Sequence, residues 1–249
     1  MDQLGRTLTS VVDYLQLQSH NKRSESDMYY GSSEARTPLK YIGADPRVSS
    51  TAPGVGQLIS CLARSGDGAD LKIQYVAQGE CLQDFAQAGW RLDDEAFEVV
   101  CDPQGLVMGG DEHDVFYEPR SGRVIKVTKN PQSFGAQGSA YGYLRNQERC
   151  NAFFADSIRF EGILETAKGD ALVISQPFIK GEPASPEQII GYFSAHGFKR
   201  VRQDCFELEL PDGRQVLIAD ARPANVIEQE GTGLLLPIDV QVIVSGESE

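Results

Sequence analysis

No stretch of this sequence approaches the roughly 20 consecutive apolar residues of a membrane-spanning helix, so no membrane association is expected. Basic charge is also scarce: 23 Lys and Arg stand against 36 Asp and Glu, a net charge of −13. Nucleic-acid binding draws on clustered cations, and so acidic a chain is not expected to bind nucleic acid. A single nucleotide is different, because one Lys with magnesium neutralises a triphosphate locally. The five cysteines, Cys61, Cys81, Cys101, Cys150 and Cys205, form no CxxC pair. An odd number without metal-ligand spacing argues against a zinc site or a disulfide framework, so a reducing cytoplasm is expected. The opening residues, MDQLGRTLTSVVDYLQ, lack a basic start followed by an apolar stretch, and no secretory leader is expected.

What is present divides near Trp90. Residues 3–18 place Leu4, Leu8, Val11, Val12 and Leu15 on one helical face. Residues 19–54 are polar and rich in turn formers, which predicts a loop or partial disorder. A short helix is expected at 54–66, a strand at 71–77, and a helix at 79–90 with Leu82, Phe85 and Ala86 on one face. Gly54 and Gly56 are not read as a phosphate loop, since no GK[ST] follows them.

After Trp90 the pattern becomes strand-rich. AFEVV (96–100), GLVMGG (105–110), DVFYE (114–118) and GRVIKVT (122–128) read as an antiparallel meander, with EPRSGR supplying a hairpin turn. A helix is predicted over 139–155 and a strand over 171–179. Another helix starts near Ser185, as N-cap, with Pro186 at the first helical position. The remainder predicts strands at 205–210, 215–220, 225–229 and 234–244.

Four polar features interrupt these apolar segments. Gly109-Gly110-Asp111-Glu112-His113-Asp114 joins two strands; taken alone it reads as a turn, although glycines also let a backbone approach a ligand. Lys126 in VIKVT shares a strand face with Val124 and Thr128, either towards solvent on an edge strand or over a pocket. Asp220-Ala-Arg-Pro-Ala-Asn225 follows the apolar VLI, so a carboxylate and an amide leave one rigid turn. Asp239 lies within LLLPIDVQVIV, where a carboxylate is costly to bury unless it is paired or binds a metal.

The order of these features (glycine turn, strand Lys, helix with a Glu, D-x-x-x-x-N, then Asp) resembles that of protein kinases. The stretches GGDEHDVFYEPRSGRVIKVTK, YLRNQERCNAFFADSIRFEG, LVISQPFIKGEP, IADARPANVI and LPIDVQV resemble the kinase domain of bacterial and phage polyvalent proteins. The resemblance covers about residues 105–244. It implies an α+β, compact kinase-like fold with an antiparallel-sheet N-lobe and a reduced C-lobe. Residues 91–249 would form a minimal catalytic domain, and residues 1–90 a helical and irregular N-terminal extension.

The resemblance also implies roles for individual residues. Gly109 and Gly110 would cover the phosphates of ATP. Lys126 would pair with the α- and β-phosphates and with Glu148 of the helix. Backbone groups of Gln176 and Phe178 would meet the adenine edge, and Glu182 the ribose. Val115 and Val124 would form the ceiling over the base, with Ile227 as floor. Asp220 would be the catalytic base, Arg222 would contact phosphate, and Asn225 and Asp239 would hold Mg2+, as hard oxygen ligands do.

Ile218-Ala219 stand where such kinases carry His-Arg, and Val240-Gln241 where they carry Phe-Gly. Ten residues follow Asp239, which leaves no room for an activation loop. A substrate platform is therefore expected from residues 1–90 or from a larger assembly. The expected function is ATP- and Mg2+-dependent phosphorylation of a protein Ser/Thr hydroxyl, with a partner or substrate engaged through residues 1–55. A catalytically weak pseudokinase acting as a nucleotide-binding interaction module, and an AMP transferase, would use the same nucleotide residues.

Overall fold

In the computed structural model, residues 80–102, 106–109, 112–129 and 139–245 are described. The elements expected at 3–18, 19–54, 54–66 and 71–77 lie outside them, as do Gly110 and residues 1–55. Helix α1 covers 80–85 and runs into a π-turn, Ala86–Trp90, that ends where Gly89 takes φ +99°. Strand β1 is Arg91–Leu92.

AFEVV is not a strand. It belongs to helix α2, Asp94–Val100, because Asp93 caps it by accepting the Ala96 N–H at 2.8 Å. Asp94 and Glu95 complement the helix dipole in its first turn. A strand would put Phe97 and Val99 on one face; the helix separates them, so Phe97 is buried while Val99 is 74% exposed.

The meander then forms β2 (Leu106–Gly109), β3 (His113–Glu118) and β4 (Arg123–Thr128). Glu118 and Arg120 fasten the β3–β4 turn: Glu118 Oε1 accepts from Arg120 Nε at 2.7 Å and Oε2 from Nη2 at 2.8 Å. Helix α3 is Ala140–Phe154, started by Ser139, whose hydroxyl accepts the Gly142 N–H. It ends where Ala155 turns left-handed at φ 57°. Strands β5 (Arg159–Thr166) and β6 (Gly169–Pro177) complete a six-stranded sheet in the order β1-β5-β6-β4-β3-β2. All neighbours are antiparallel except β1 and β5. Strand β5 has no counterpart in the sequence reading, because Gly162 and a register shift at Phe160/Gly162 interrupt its apolar pattern.

The second half has two smaller sheets. Strands β7 (Gly181–Pro183), β11 (Val226–Gln229) and β12 (Leu235–Pro237) form one, in the order β12-β11-β7. A Cβ on Gly181 would collide with the Glu228 carbonyl, so β7 can approach β11 only at glycine. Strands β8 (Lys199–Arg202), β9 (Cys205–Glu209), β10 (Gln215–Ala219) and β13 (Gln241–Val244) form the other, in the order β13-β10-β9-β8. Strand β8 is exposed at every position, and so carries no hydrophobic signature. Helix α4, Pro186–Ala195, opens with a reciprocal capping box between Ser185 and Gln188.

The stretch 234–244 is not one strand. The chain leaves β12, bends, and enters β13 in a different sheet, with Asp239 at the bend.

The larger core lies between the six-stranded sheet and the second half, with α3 inside it. It joins Leu82 of α1, Leu144 and Phe153 of α3, Leu172 and Ile174 of β6, Phe193 of α4, and Ile218 of β10. Residues 80–90 thus share a core with the rest of the described fold. The opposite sheet face packs Ile125, Val127 and Val173 beneath Phe97 of α2. Cys81 is disulfide-bonded, whereas the sequence argued against a disulfide framework. No described helix is long and apolar enough to cross a membrane.

Candidate functional site

Lys126 is not on an edge. Strand β4 lies between β3 and β6, with Lys126 opposite Val115 on one side and Ile174 on the other. Alternation places Ile125 and Val127 in the core under α2, so Lys126 shares the other face with Val115, Val124, Ile174 and Gln176. The residue is 8% exposed, and its Nζ lies 3.3 Å from Asp239 Oδ1. A buried ammonium requires such a partner.

Asp239 reaches Lys126 because the chain changes sheets there. Its backbone is set from one side by the Ile238 N–H, which donates to the Asn225 carbonyl at 2.9 Å. Partial burial pushes the Asp239 carboxyl up, but Lys126, His113 and Arg222 outweigh this, and the group is held below its ordinary range.

Asp220 and Asn225 form the second half of the site. Asp220 sits just past β10 in left-handed backbone, φ 57°, a conformation Asp tolerates better than most residues. The Asn225 amide Nδ2 donates to both the Asp220 carbonyl (2.9 Å) and Oδ2 (2.8 Å). Arg222 Nε lies 3.2 Å from Asp220 Oδ1. Pro223–Asn225 is a single 3-10 turn, which brings Asn225 back beneath Asp220. Lys126 and Asp239 therefore meet directly, Asp220 and Asn225 meet directly, and the Asn225–Ile238 bond joins the pairs.

The donor set suits magnesium. Asp239 and Asp220 supply carboxylate oxygens, and Asn225 has an amide oxygen left after its Nδ2 is used. Among the described residues no three or more His, Cys, Asp or Glu are grouped as metal ligands. Magnesium does not need such a cage, since it is usually held by one or two carboxylates together with substrate phosphates and water.

Other expected contacts differ. Glu148 lies on α3, but its carboxylate pairs with Arg145 Nη1 at 2.8 Å, one helical turn away, and Lys126 pairs with Asp239 instead. The Phe178 N–H donates to the Gly122 carbonyl at 2.9 Å, so it is already used. Gln176, opposite Val124, has the same position in the ladder two residues earlier, so its backbone also turns towards β4. What Gln176 presents to the Lys126 face is its side chain, and the residue is 6% exposed. Pro177 has the opposite backbone direction and presents a carbonyl.

Val115 and Val124 are half-buried and belong to neither core. Ile227 is 6% exposed and likewise belongs to neither. Glu182 is exposed on β7, opposite Glu228. Gly109 pairs with Asp114 at the end of β2.

Three site residues had no assigned role from sequence. His113 is buried, with Nε2 3.0 Å from the Tyr143 hydroxyl. Burial, reinforced by Lys126 and opposed by Asp239 and Asp114, lowers its imidazole to about 4. Asn146 of α3 bonds both Val240 and Val242 just beyond Asp239. Asp156, after α3, is half-buried; burial pushes its carboxyl well up, opposed by Lys126 and reinforced by Asp239. His113 and Asn146 lie between polar neighbours and Asp156 beside Ser157, so nothing local in the sequence marks them.

No curated protein and no solved structure matches this chain. A family model described as the serine/threonine/tyrosine kinase found in polyvalent proteins matches residues 77–245, more than half of the sequence. The mixed α/β architecture, with antiparallel sheets and few helices, is compatible with a kinase-like fold. With that match and the Lys126–Asp239 and Asp220–Asn225 pairs in place, the chain belongs to the kinase family of polyvalent proteins.

Proposed function

We propose that this protein transfers the γ-phosphoryl group of ATP, with Mg2+, to a Ser or Thr hydroxyl of a protein. The observation that carries the reading is the buried Lys126 paired with Asp239, adjoining the Asp220–Asn225 couple. Phosphoryl transfer asks for positioned charge more than covalent chemistry, and these residues offer one fixed cation beside three oxygen-bearing side chains.

Lys126 would take α- and β-phosphate oxygens, and Asp239 and Asn225 would hold Mg2+. The chemistry a metal held there would supply is neutralisation of phosphate charge. Asp220 would orient the acceptor hydroxyl and receive its proton. Its carboxylate is aimed by donors from Asn225 and Arg222, and each oxygen keeps a further lone pair for the substrate. The base would lie between Val115 and Val124 above and Ile227 below, its edge against the Pro177 carbonyl and the Gln176 amide. The kinase unit would have two lobes, the six-stranded sheet with α3 and the smaller sheets with α4. Residues 1–55 would engage the acceptor protein.

The test uses γ-labelled ATP and Mg2+ with candidate acceptor proteins, comparing wild type with Asp239→Asn. Label transferred by wild type alone supports the reading. A Mg2+-dependent thermal shift with ATP but no transfer means a nucleotide-binding module. Transfer from α-labelled ATP means AMP transfer.

A further inference from the structure

We propose that Asn146 is a positioning residue that sets Asp239 against Lys126, supplying from α3 the coupling expected of Glu148. The proposal rests on the kinase reading of the site and specifies how its metal-binding carboxylate is held.

Asn146 is 8% exposed. Its Nδ2 donates to the Val240 carbonyl at 3.1 Å, and its Oδ1 accepts the Val242 N–H at 2.8 Å. Strand β13 pairs with β10 along one edge, with Val242 opposite Ile218. A carbonyl and an N–H two residues apart project from the same edge of a strand. The Asn146 amide covers that pair of groups on the edge facing α3, as one residue of a neighbouring strand would. The segment it holds begins immediately after Asp239, so the carboxylate is fixed from both sides: Asn225 binds the residue before it and Asn146 the residue after it.

Two further bonds from α3 reach the same segment. Arg149 Nη1 donates to the Val242 carbonyl at 3.2 Å, and Cys150 Sγ approaches the Val240 carbonyl at 3.5 Å. At its other end α3 holds the Lys126 side of the site. Tyr143 bonds His113 of β3, the strand paired with β4 at Val115–Lys126. One helix therefore contacts β3, the strand beside the Lys126 strand, and the segment that begins just past Asp239. Glu148, engaged by Arg145, has no part in this link.

The test uses the full chain with Asn146→Ala and the isosteric Asn146→Asp. Asn146→Asp keeps an acceptor for the Val242 N–H but sets a carboxylate against the Val240 carbonyl. Two quantities are read: amide hydrogen exchange at Val242, and the Mg2+ concentration that half-saturates the thermal shift with ATP. Asn146→Ala is expected to speed Val242 exchange and to raise the half-saturating Mg2+ by about ten-fold, the scale on which outer partners tune metal affinity. Asn146→Asp is expected to preserve Val242 protection and still raise the Mg2+ requirement. If Asn146→Ala does not fold, Asn146→Asp alone decides the metal readout. A lowered melting temperature with an unchanged Mg2+ requirement overturns the positioning role. Unchanged Val242 exchange in a folded Asn146→Ala overturns the link itself. No Mg2+-dependent shift in wild type overturns the kinase reading and the proposal together, while Val242 exchange still reports separately on the Asn146 bond.

Discussion

Lys126 and the acidic groups it faces are held in different ways. Lys126 sits in the middle of a regular ladder, on a strand paired along both edges, with Ile125 and Val127 buried beneath α2. Asp220 and Asp239 lie where regular structure stops: one in left-handed backbone after β10, the other at a change of sheet. Their orientation depends on a few bonds, chiefly from Asn225 and Asn146. A lysine inside a sheet tolerates changes around it, because ladder bonds are spread over many residues. A carboxylate in a loop does not, because one lost donor frees it.

The largest expected effect tests this contrast at Asn225. Asn225→Ala removes both hydrogen bonds that Nδ2 donates to Asp220, and phosphoryl transfer should fall by about 100-fold, read in single-turnover assays. Val127→Ala in the β4 ladder should lower stability by about 1 kcal/mol or more while leaving transfer near wild type. Comparable losses of transfer from both variants would break the contrast.

Next is the pH dependence of the junction between the two regions. His113 titrates near 4 in the folded protein and at an ordinary 6.5 when unfolded. Between these values the unfolded chain binds more protons, so stability falls as pH drops from 6.5 towards 4. The loss should be at most on the order of 3 kcal/mol. Urea unfolding across that range should show the slope, and His113→Asn should flatten it. A slope unchanged by the substitution would remove His113 as its source.

The smallest effect lies outside the site. Ser185→Ala breaks the capping box of α4 and should cost about 1 kcal/mol, with transfer unchanged when assayed well below the melting temperature. A marked loss of transfer would mean that α4 also helps to hold the acidic side.

The sequence made some elements legible for local reasons. Ser185 announces α4 because capping is decided within one turn. Alternation and the EPRSGR turn announce β3 and β4. AFEVV misled because its apolar content fits either period, and Asp93 as N-cap settled it as a helix. Strand β8 carried no pattern because it is exposed at every position.

By itself, the sequence determined the ordered set Lys126, Asp220, Asn225 and Asp239, and with it the family. Residue type and order in the chain suffice for that, and neither depends on packing. Only the tertiary structure decided which groups meet. Glu148 turns to Arg145, Lys126 to Asp239, the backbone of Phe178 to Gly122, and Asn146 to the strand after Asp239. Those choices depend on helix rotation, on ladder register and on where the chain changes sheets, and packing sets all of them across long sequence separations.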